Sequence, residues 1–164
     1  MTTAYISVGS NIEPAKHIRN GLKTVQAHYG KLQVSSVYES AAVGFDGDNF
    51  YNLVIAFETE ENPHDIAKML RDIEHQHGRK RTTGQKFNAR TLDLDLILYG
   101  DAILKDEGLD VPRDEIFKYA FVLQPLAEIA PHVQHPETQQ NYKDLWQQFD
   151  KTTQNLWIVD INVI

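Results

Sequence analysis

Two aspartates spaced two residues apart are the part of the sequence best suited to chemistry. Asp93 and Asp95 lie in the run Arg-Thr-Leu-Asp-Leu-Asp-Leu-Ile-Leu-Tyr-Gly of residues 90–100. Side chains alternate between the two faces of a β-strand, so both carboxylates are expected to point to one side. The alternating leucines are expected to point to the other side: Leu92, Leu94, Leu96 and Leu98.

Neighbouring carboxylates on one face indicate a bound cation. The two residues lie about 6.6 Å apart along a strand, and ionising both side chains is costly unless a cation lies between them. Mg²⁺ fits such a pair, because it prefers carboxylate and water oxygens and completes its coordination with substrate phosphates. Two Mg²⁺ ions held by Asp93 and Asp95 would suit an in-line displacement at phosphorus. The alternative is an exposed strand face whose acids are only solvated.

A basic segment runs directly into the aspartate motif. Residues 79–90 carry five basic residues and no acidic one, whereas the whole chain has a formal net charge of −7. Arginine can contact phosphate oxygens through two parallel hydrogen bonds, so Arg79 and Arg90 are the favoured phosphate ligands in this stretch. Phosphoryl transfer depends on positioning and on neutralising charge, which a metal site and a basic lid would supply together. The other interpretations are a solvated basic turn and a weak RNA contact, and the acidic net charge of the chain argues against RNA.

The composition narrows the class of protein. The chain has 164 residues, 41% of them hydrophobic and 24% charged, which is typical of one globular domain, here residues 1–164. It contains no cysteine, and its sequence shows neither a signal peptide nor a run of about 20 apolar residues that could span a membrane. We therefore expect a cytoplasmic protein that binds no membrane and, because of its acidic charge, no nucleic acid. A monomer and a homodimer both remain open.

The elements that must position these residues are predicted in the order β-α-β-β-α-β. Strands are predicted at residues 4–8, 33–38, 50–57 and 91–99. Helices are predicted from Pro14 to Gly30 and from Pro63 to Gly78, each with proline at its start and glycine at its end. This order indicates an α+β ferredoxin-like sandwich, in which two helices cover one face of an antiparallel sheet and the other face stays open for ligands.

Further elements are predicted after residue 100. They are a hairpin at residues 101–112, a helix at 119–129, a helix through Leu145 and Phe149, and a last strand at 156–164. The last strand either closes the edge of the sheet or pairs with another subunit.

Short motifs spread along the chain carry a resemblance to a known family. The most specific is Arg-Thr-Leu-Asp-Leu-Asp at residues 90–95. Supporting motifs are Ala-Tyr-Ile at 4–6, Gly-Ser-Asn at 9–11, Phe-Tyr-Asn at 50–52, Gly-Arg at 78–79, Val-Pro at 111–112, and the stretch from Phe121 to Pro131. With these motifs the chain resembles the 6-hydroxymethyl-7,8-dihydropterin pyrophosphokinase family over nearly its whole length.

The resemblance implies a reaction and a set of residues for it. The reaction would be transfer of the β,γ-pyrophosphate of ATP to the hydroxymethyl group of the pterin in folate biosynthesis, with AMP released. By position, Asp93 and Asp95 resemble the two magnesium ligands. The resemblance and the basic charge indicate five ligands for the ATP phosphates: Arg79, Arg81, Arg90, Arg113 and Lys118. The expected pterin-binding positions are Ser40, Val43, Asn52, Glu74, Phe87 and Phe121, with Phe121 stacking on the ring and Asn52 bonding to its edge.

Three positions depart from the family pattern. Phe87-Asn88-Ala89 stands where the family has Trp-Gly-Pro, Arg113 where it commonly has histidine, and Tyr119 where it has arginine. Because these positions serve the lid and the nucleotide phosphates, two alternatives to the family reaction stay open. One is a diverged enzyme acting on another pterin-like alcohol, and the other is a non-catalytic module that binds pterin or nucleotide.

Overall fold

The architecture is a six-stranded antiparallel sheet with helices on both faces. The computed structural model describes residues 1–41, 47–78, 91–106 and 108–164. In chain order the elements are β1 (Thr2–Ser10), α1 (Pro14–Tyr29), β2 (Gln33–Val34), β3 (Val37–Ser40), β4 (Phe50–Thr59), α2 (Pro63–Gln76), β5 (Asp93–Tyr99), β6 (Leu104–Asp106), β7 (Leu109–Val111), α3 (Glu115–Lys118), α4 (Ala120–Ile129), α5 (Tyr142–Gln148) and β8 (Leu156–Val159). The sheet order is β5-β1-β4-β3-β8, and β2 also pairs with β4. The predicted α+β arrangement is confirmed, and so is the hairpin, which forms from β6 and β7.

Both helices predicted before residue 100 form, with boundaries that follow from their capping residues, and the two predicted after it form as α4 and α5. α1 ends before Gly30, which has a φ of 86° and donates its N–H to Gln26 O at 2.8 Å. α2 begins after Asn62, whose side chain accepts a hydrogen bond from Asp65 N–H at 2.9 Å. The apolar faces of both helices pack against one face of β1, β4 and β5, and this contact forms the first core.

The predicted strand at residues 33–38 is interrupted in its middle. Ser35 N–H donates to Val54 O at 3.0 Å, and Val54 N–H donates to the Ser35 hydroxyl at 2.9 Å. A serine hydroxyl therefore takes a place that a backbone carbonyl would have in a continuous ladder. The next residue, Ser36, turns its own N–H to Glu128 of α4 at 2.8 Å. The strand is thus split into β2 and β3.

The alternation predicted for β5 ends at Leu98. The register between β1 and β5 shifts between Tyr5 and Ile6, so that Leu96 faces Ile6 whereas Leu98 faces Tyr5. Leu96 and the leucines before it join the first core as predicted, but Ile97 and Leu98 both lie in a second core. The prediction for Leu98 was wrong because an extra residue in a strand reverses the facing of the residues beyond it.

The C-terminal helices cover half of the sheet's second face. The second core combines Tyr5, Val54, Ala56 and Leu98 of the sheet with apolar residues of α3, α4 and α5. The expectation that this face is open to ligands was therefore wrong for this half, because its apolar side chains are buried by helices.

The last strand is shorter than predicted and lies in the chain's own sheet. β8 pairs antiparallel with β3 at the sheet edge, and the strand ends at Val159. Beyond it, Asn162 O accepts two hydrogen bonds from the guanidinium of Arg19 at 3.1 and 3.0 Å, and Val163 is buried in the first core. Residues 160–164 thus leave the sheet to contact α1. Among the helices that the structure describes, none is long and apolar enough to cross a membrane.

Candidate active site

A pocket of about 760 Å³ opens over the polar half of the second face of the sheet. Three adjacent strands form its floor, because Gly9 of β1 lies between Asn52 of β4 and Asp93 of β5 in the sheet register. Asp95 follows on the same side of β5, opposite Ser7 of β1. The structure therefore brings the two predicted metal ligands and Asn52 to one surface.

Glu74 of α2 holds the strand segment between the two aspartates. Its side chain is 2% exposed and accepts a hydrogen bond from Leu94 N–H at 2.8 Å. Leu94 is the residue between Asp93 and Asp95, so the bond is placed to fix the backbone that carries both carboxylates. Glu74 also lines the pocket, as its predicted substrate-binding role requires.

Asn52 is held over Gly9 at close range. The Asn52 side chain is 5% exposed, and a Cβ added to Gly9 would lie only 2.7 Å from Asn52 Oδ1. Gly9 therefore leaves the space that the carboxamide occupies. A carboxamide offers both donors and an acceptor, so its polar end can read the hydrogen-bonding edge of a heterocycle.

Two stacked aromatic rings form one wall of the pocket. The rings of Tyr119 and Phe121 have centroids 5.0 Å apart and planes 18° apart, and both residues line the pocket. Ser40 and Ala41 line it from β3 and the residue after it, and Phe50 lines it from the start of β4. Flat aromatic faces next to a polar floor suit a planar heterocycle that carries polar groups on its rim.

Cationic groups reach the pocket from the segment before α4. Arg113 donates from Nε to Glu115 Oε2 at 2.9 Å, and a second guanidinium nitrogen also bonds to that carboxylate. Burial disfavours the charged guanidinium, but the hydrogen bond to Glu115 and the nearby Asp95 carboxylate outweigh it, so that the pKa of Arg113 lies above its ordinary value. Lys118 is exposed and also lines the pocket. Arg113 thus lies near one of the predicted metal ligands, and both cations line the same pocket.

Five predicted site residues lie outside the described residues. They are Val43, Arg79, Arg81, Phe87 and Arg90. Their roles stay predictions.

Several pocket-lining residues were not predicted as site residues: Ser7, Phe50, Arg71, Glu115 and Tyr119. Arg71 had a readable signal, because it lies one helical turn before Glu74 on α2 and so shares its face. Glu115 had no such sequence signal, since its contact with Arg113 in the pocket depends on how the chain folds there. Tyr119 stood out in the sequence only as a departure from a family pattern.

The donor set fits Mg²⁺ better than a metal bound by the protein alone. Among residues 1–41, 47–78, 91–106 and 108–164, no group of three or more His, Cys, Asp or Glu side chains could hold a metal ion. Mg²⁺ is commonly held by one or two carboxylates, with substrate phosphates and water as the other ligands. Asp93 and Asp95 on the pocket floor meet that requirement.

Comparisons with known proteins agree on one family. The model of the family 7,8-dihydro-6-hydroxymethylpterin-pyrophosphokinase (HPPK) matches residues 5–131. The chain is 36% identical over 143 residues to a 2-amino-4-hydroxy-6-hydroxymethyldihydropteridine pyrophosphokinase of Haemophilus influenzae, a match that covers 85% of this chain and 88% of the relative. A relative of the same name from Pseudomonas aeruginosa is 36% identical over 137 residues, which is 81% of this chain and 83% of that one.

A solved structure of Plasmodium falciparum HPPK-DHPS has a similar fold. It matches with a TM-score of 0.70 over 90% of this chain, at 13% sequence identity. The match covers 41% of the Plasmodium chain, so the present chain corresponds to only part of that longer protein.

Proposed function

Because the chain belongs to the 7,8-dihydro-6-hydroxymethylpterin-pyrophosphokinase family, we propose that the pocket over Asp93 and Asp95 is its active site. The chain is a transferase that moves a pyrophosphoryl group from ATP to hydroxymethyldihydropterin in folate biosynthesis. One observation above all supports this location of the site. Two carboxylates and the Asn52 carboxamide share a floor that faces a stacked pair of aromatic rings.

The pocket separates into a phosphate side and a ring side. Asp93 and Asp95 are the proposed ligands of Mg²⁺, an ion that neutralises charge on the phosphates and aligns them for in-line displacement when it is bound. Arg113 lies near Asp95, and Lys118 adds a second positive charge to the lining of the pocket. Charge neutralisation of this kind is what phosphoryl transfer requires from a protein.

The ring side is proposed to hold the pterin. Its plane would stack on Phe121 and Tyr119, and Asn52 would bond to its polar edge from the floor. Ser40 lines the wall beside this space, and Glu74 holds the floor in place from below. The hydroxymethyl group would then lie between the rings and the aspartates, which is where the pyrophosphoryl group must arrive.

Other roles rest on the family resemblance. Arg79, Arg81 and Arg90 are proposed to engage the ATP phosphates, and Phe87 and Val43 to contact the pterin. We propose one domain over residues 1–164, because both cores share strands β1, β4 and β5. The use of ATP supports a cytoplasmic location.

The first experiment measures AMP release from ATP and Mg²⁺ with and without 6-hydroxymethyl-7,8-dihydropterin. We expect pterin-dependent AMP from the wild type. We expect at least about a hundredfold loss of turnover in Asp95→Asn, because the change removes a carboxylate charge and little volume. Asp101→Asn is the matched control, since Asp101 is an exposed aspartate in the turn after the same strand.

Three outcomes would count against these assignments. A folded and fully active Asp95→Asn variant would refute the metal site. Wild-type protein that releases AMP only with a different pterin-like alcohol would favour a diverged enzyme, a possibility kept open by Tyr119 in the ring wall. Protein that binds ATP and pterin without releasing AMP would favour a binding module.

A further inference from the structure

The junction between α3 and α4 is held by a side chain from beyond the family match. Gln154 lies between α5 and β8, after the matched residues 5–131. Its Nε2 donates to Lys118 O at 2.9 Å, and its Oε1 accepts from Ala120 N–H at 2.8 Å. These two backbone groups flank Tyr119. One carboxamide therefore clamps the chain on both sides of a residue that lines the pocket.

Gln154 bonds to backbone groups that two helix ends leave unsatisfied. Lys118 is the last residue of α3 and Ala120 the first of α4, so the carbonyl of one and the amide of the other have no partner within their helices. Tyr119, at the N-cap of α4, makes no side-chain capping hydrogen bond. A carboxamide carries a donor and an acceptor on one planar group, and Gln154 satisfies both ends with it.

The segment that carries Gln154 is itself anchored. Asp150 Oδ1 accepts hydrogen bonds from Thr152 N–H at 3.0 Å and from the Thr152 hydroxyl at 2.6 Å, which shapes the turn after α5. Two residues beyond Gln154, Leu156 pairs with Ser40 of β3 on another wall of the pocket. The segment from residue 150 to 156 therefore joins two walls of the same pocket.

We infer that Gln154 is a positioning residue for the substrate that stacks on Tyr119 and Phe121. By fixing the first turn of α4, it sets the direction in which the two rings face the pocket floor. The inference rests on the proposed function, because that function assigns the ring pair to the pterin. Gln154 touches no substrate in this scheme and acts only through the backbone on either side of Tyr119.

The test combines kinetics with amide exchange at Ala120. In Gln154→Ala we expect the KM for 6-hydroxymethyl-7,8-dihydropterin to rise about fivefold, because displaced rings lose part of their stacking on the substrate. The kcat should stay within about twofold, because the aspartates on β5 are untouched. The Ala120 amide, followed by NMR or mass spectrometry, should exchange about tenfold faster as its acceptor is removed.

Two further variants separate positioning from general damage. Gln148→Ala removes another glutamine amide, on α5, whose side chain bonds to Gln140 at 3.4 Å, and it should behave as wild type. Gln154→Glu keeps an acceptor for the Ala120 amide but loses the donor to Lys118 O. Because its second carboxylate oxygen would repel Lys118 O, Gln154→Glu should slow the exchange of Ala120 relative to Gln154→Ala but leave the KM above the wild-type value.

The outcomes distinguish this inference from the proposed function. Unchanged exchange of Ala120 in Gln154→Ala overturns the inference whether or not the wild type is active. Faster exchange with an unchanged KM also overturns it, because the cap would then exist without positioning the rings. Wild-type protein that releases no AMP with pterin refutes the proposed function and with it the positioning of a pterin, whereas faster Ala120 exchange in Gln154→Ala would still support the contact between Gln154 and the backbone.

Discussion

Replacing Gly9 by alanine adds one methyl group to the pocket floor, next to Asn52. A Cβ at residue 9 lies 2.7 Å from Asn52 Oδ1, and real Cβ atoms essentially never come within 3.0 Å of a neighbour. The backbone of Gly9 has no positive φ, so alanine fits the strand conformation there. The strain is therefore relieved by moving the Asn52 carboxamide, which is 5% exposed and has little space around it.

The size of the effect follows from how steeply a polar contact depends on geometry. Hydrogen bonds have a narrow range of distances, and a misplacement of about 1 Å at an active site can cost about a hundredfold in rate. A shift of a few tenths of an ångström at Asn52 is thus expected to raise the KM for the pterin about tenfold. The free energy of unfolding should change by less than about 1 kcal/mol, because alanine also restricts the unfolded chain.

The assay pairs pterin binding with thermal unfolding. Fluorescence titration and steady-state kinetics report the pterin affinity of Gly9→Ala, and calorimetry reports its Tm. Gly100→Ala is the control, because Gly100 has a φ of +54° and lies at the other end of β5 from the aspartates. We expect Gly100→Ala to lower the Tm and leave the KM unchanged, which is the opposite pattern. A Gly9→Ala variant with wild-type affinity would refute the assignment of Asn52 to the pterin edge.

Two further predictions concern stability. The Tyr142 hydroxyl is buried with no hydrogen-bond partner among the described residues, so Tyr142→Phe should keep or raise the free energy of unfolding, by up to about 1 kcal/mol; a marked loss in urea denaturation would contradict this. His135 is buried and its Nδ1 accepts from Glu137 N–H at 3.1 Å, so burial lowers its pKa. The unfolded chain therefore binds the proton more readily, and stability should fall as the pH drops below about 6.5. Asparagine keeps an acceptor for the Glu137 N–H but does not titrate, so His135→Asn should lose less stability at low pH than wild type. Unfolding curves with the same pH dependence as wild type would exclude His135 as the source of that loss.

Much of the fold was predictable because local signals and packing agree. Asn62, Pro63 and Gly78 mark the ends of α2 in the sequence, and the helix lies between them in the structure. The β-bulge in β5 was not predictable. Ile97 and Leu98 are both apolar, so either side chain could point to either face of the sheet. The split between β2 and β3 depended on the partner of Ser35, which is on a different strand.

The residues of the candidate site that could be predicted are those with an unusual spacing in the sequence. Asp93 and Asp95 can be identified from the sequence, because they lie two residues apart within a leucine-rich strand. Glycine is common in turns, and only the register opposite Asn52 places Gly9 on the pocket floor. Gln154 is one of many polar residues near the C-terminal side of the chain, and its role depends on two helix ends that meet it in space.

The position of the pocket follows from a change of polarity along one face of the sheet. Near one end of that face, Tyr5, Val54 and Leu98 are apolar and must be buried, so the C-terminal helices pack over them. Toward the other end, the same strands present Asn52 and the two aspartates, and the pocket lies there. The bulge in β5 places both Ile97 and Leu98 in the apolar half, while Asp93 and Asp95 stay in the polar half. Ile97 is the extra residue, so deleting it would restore a regular register, keep Asp93 and Asp95 on the pocket floor, and remove one apolar side chain from the second core.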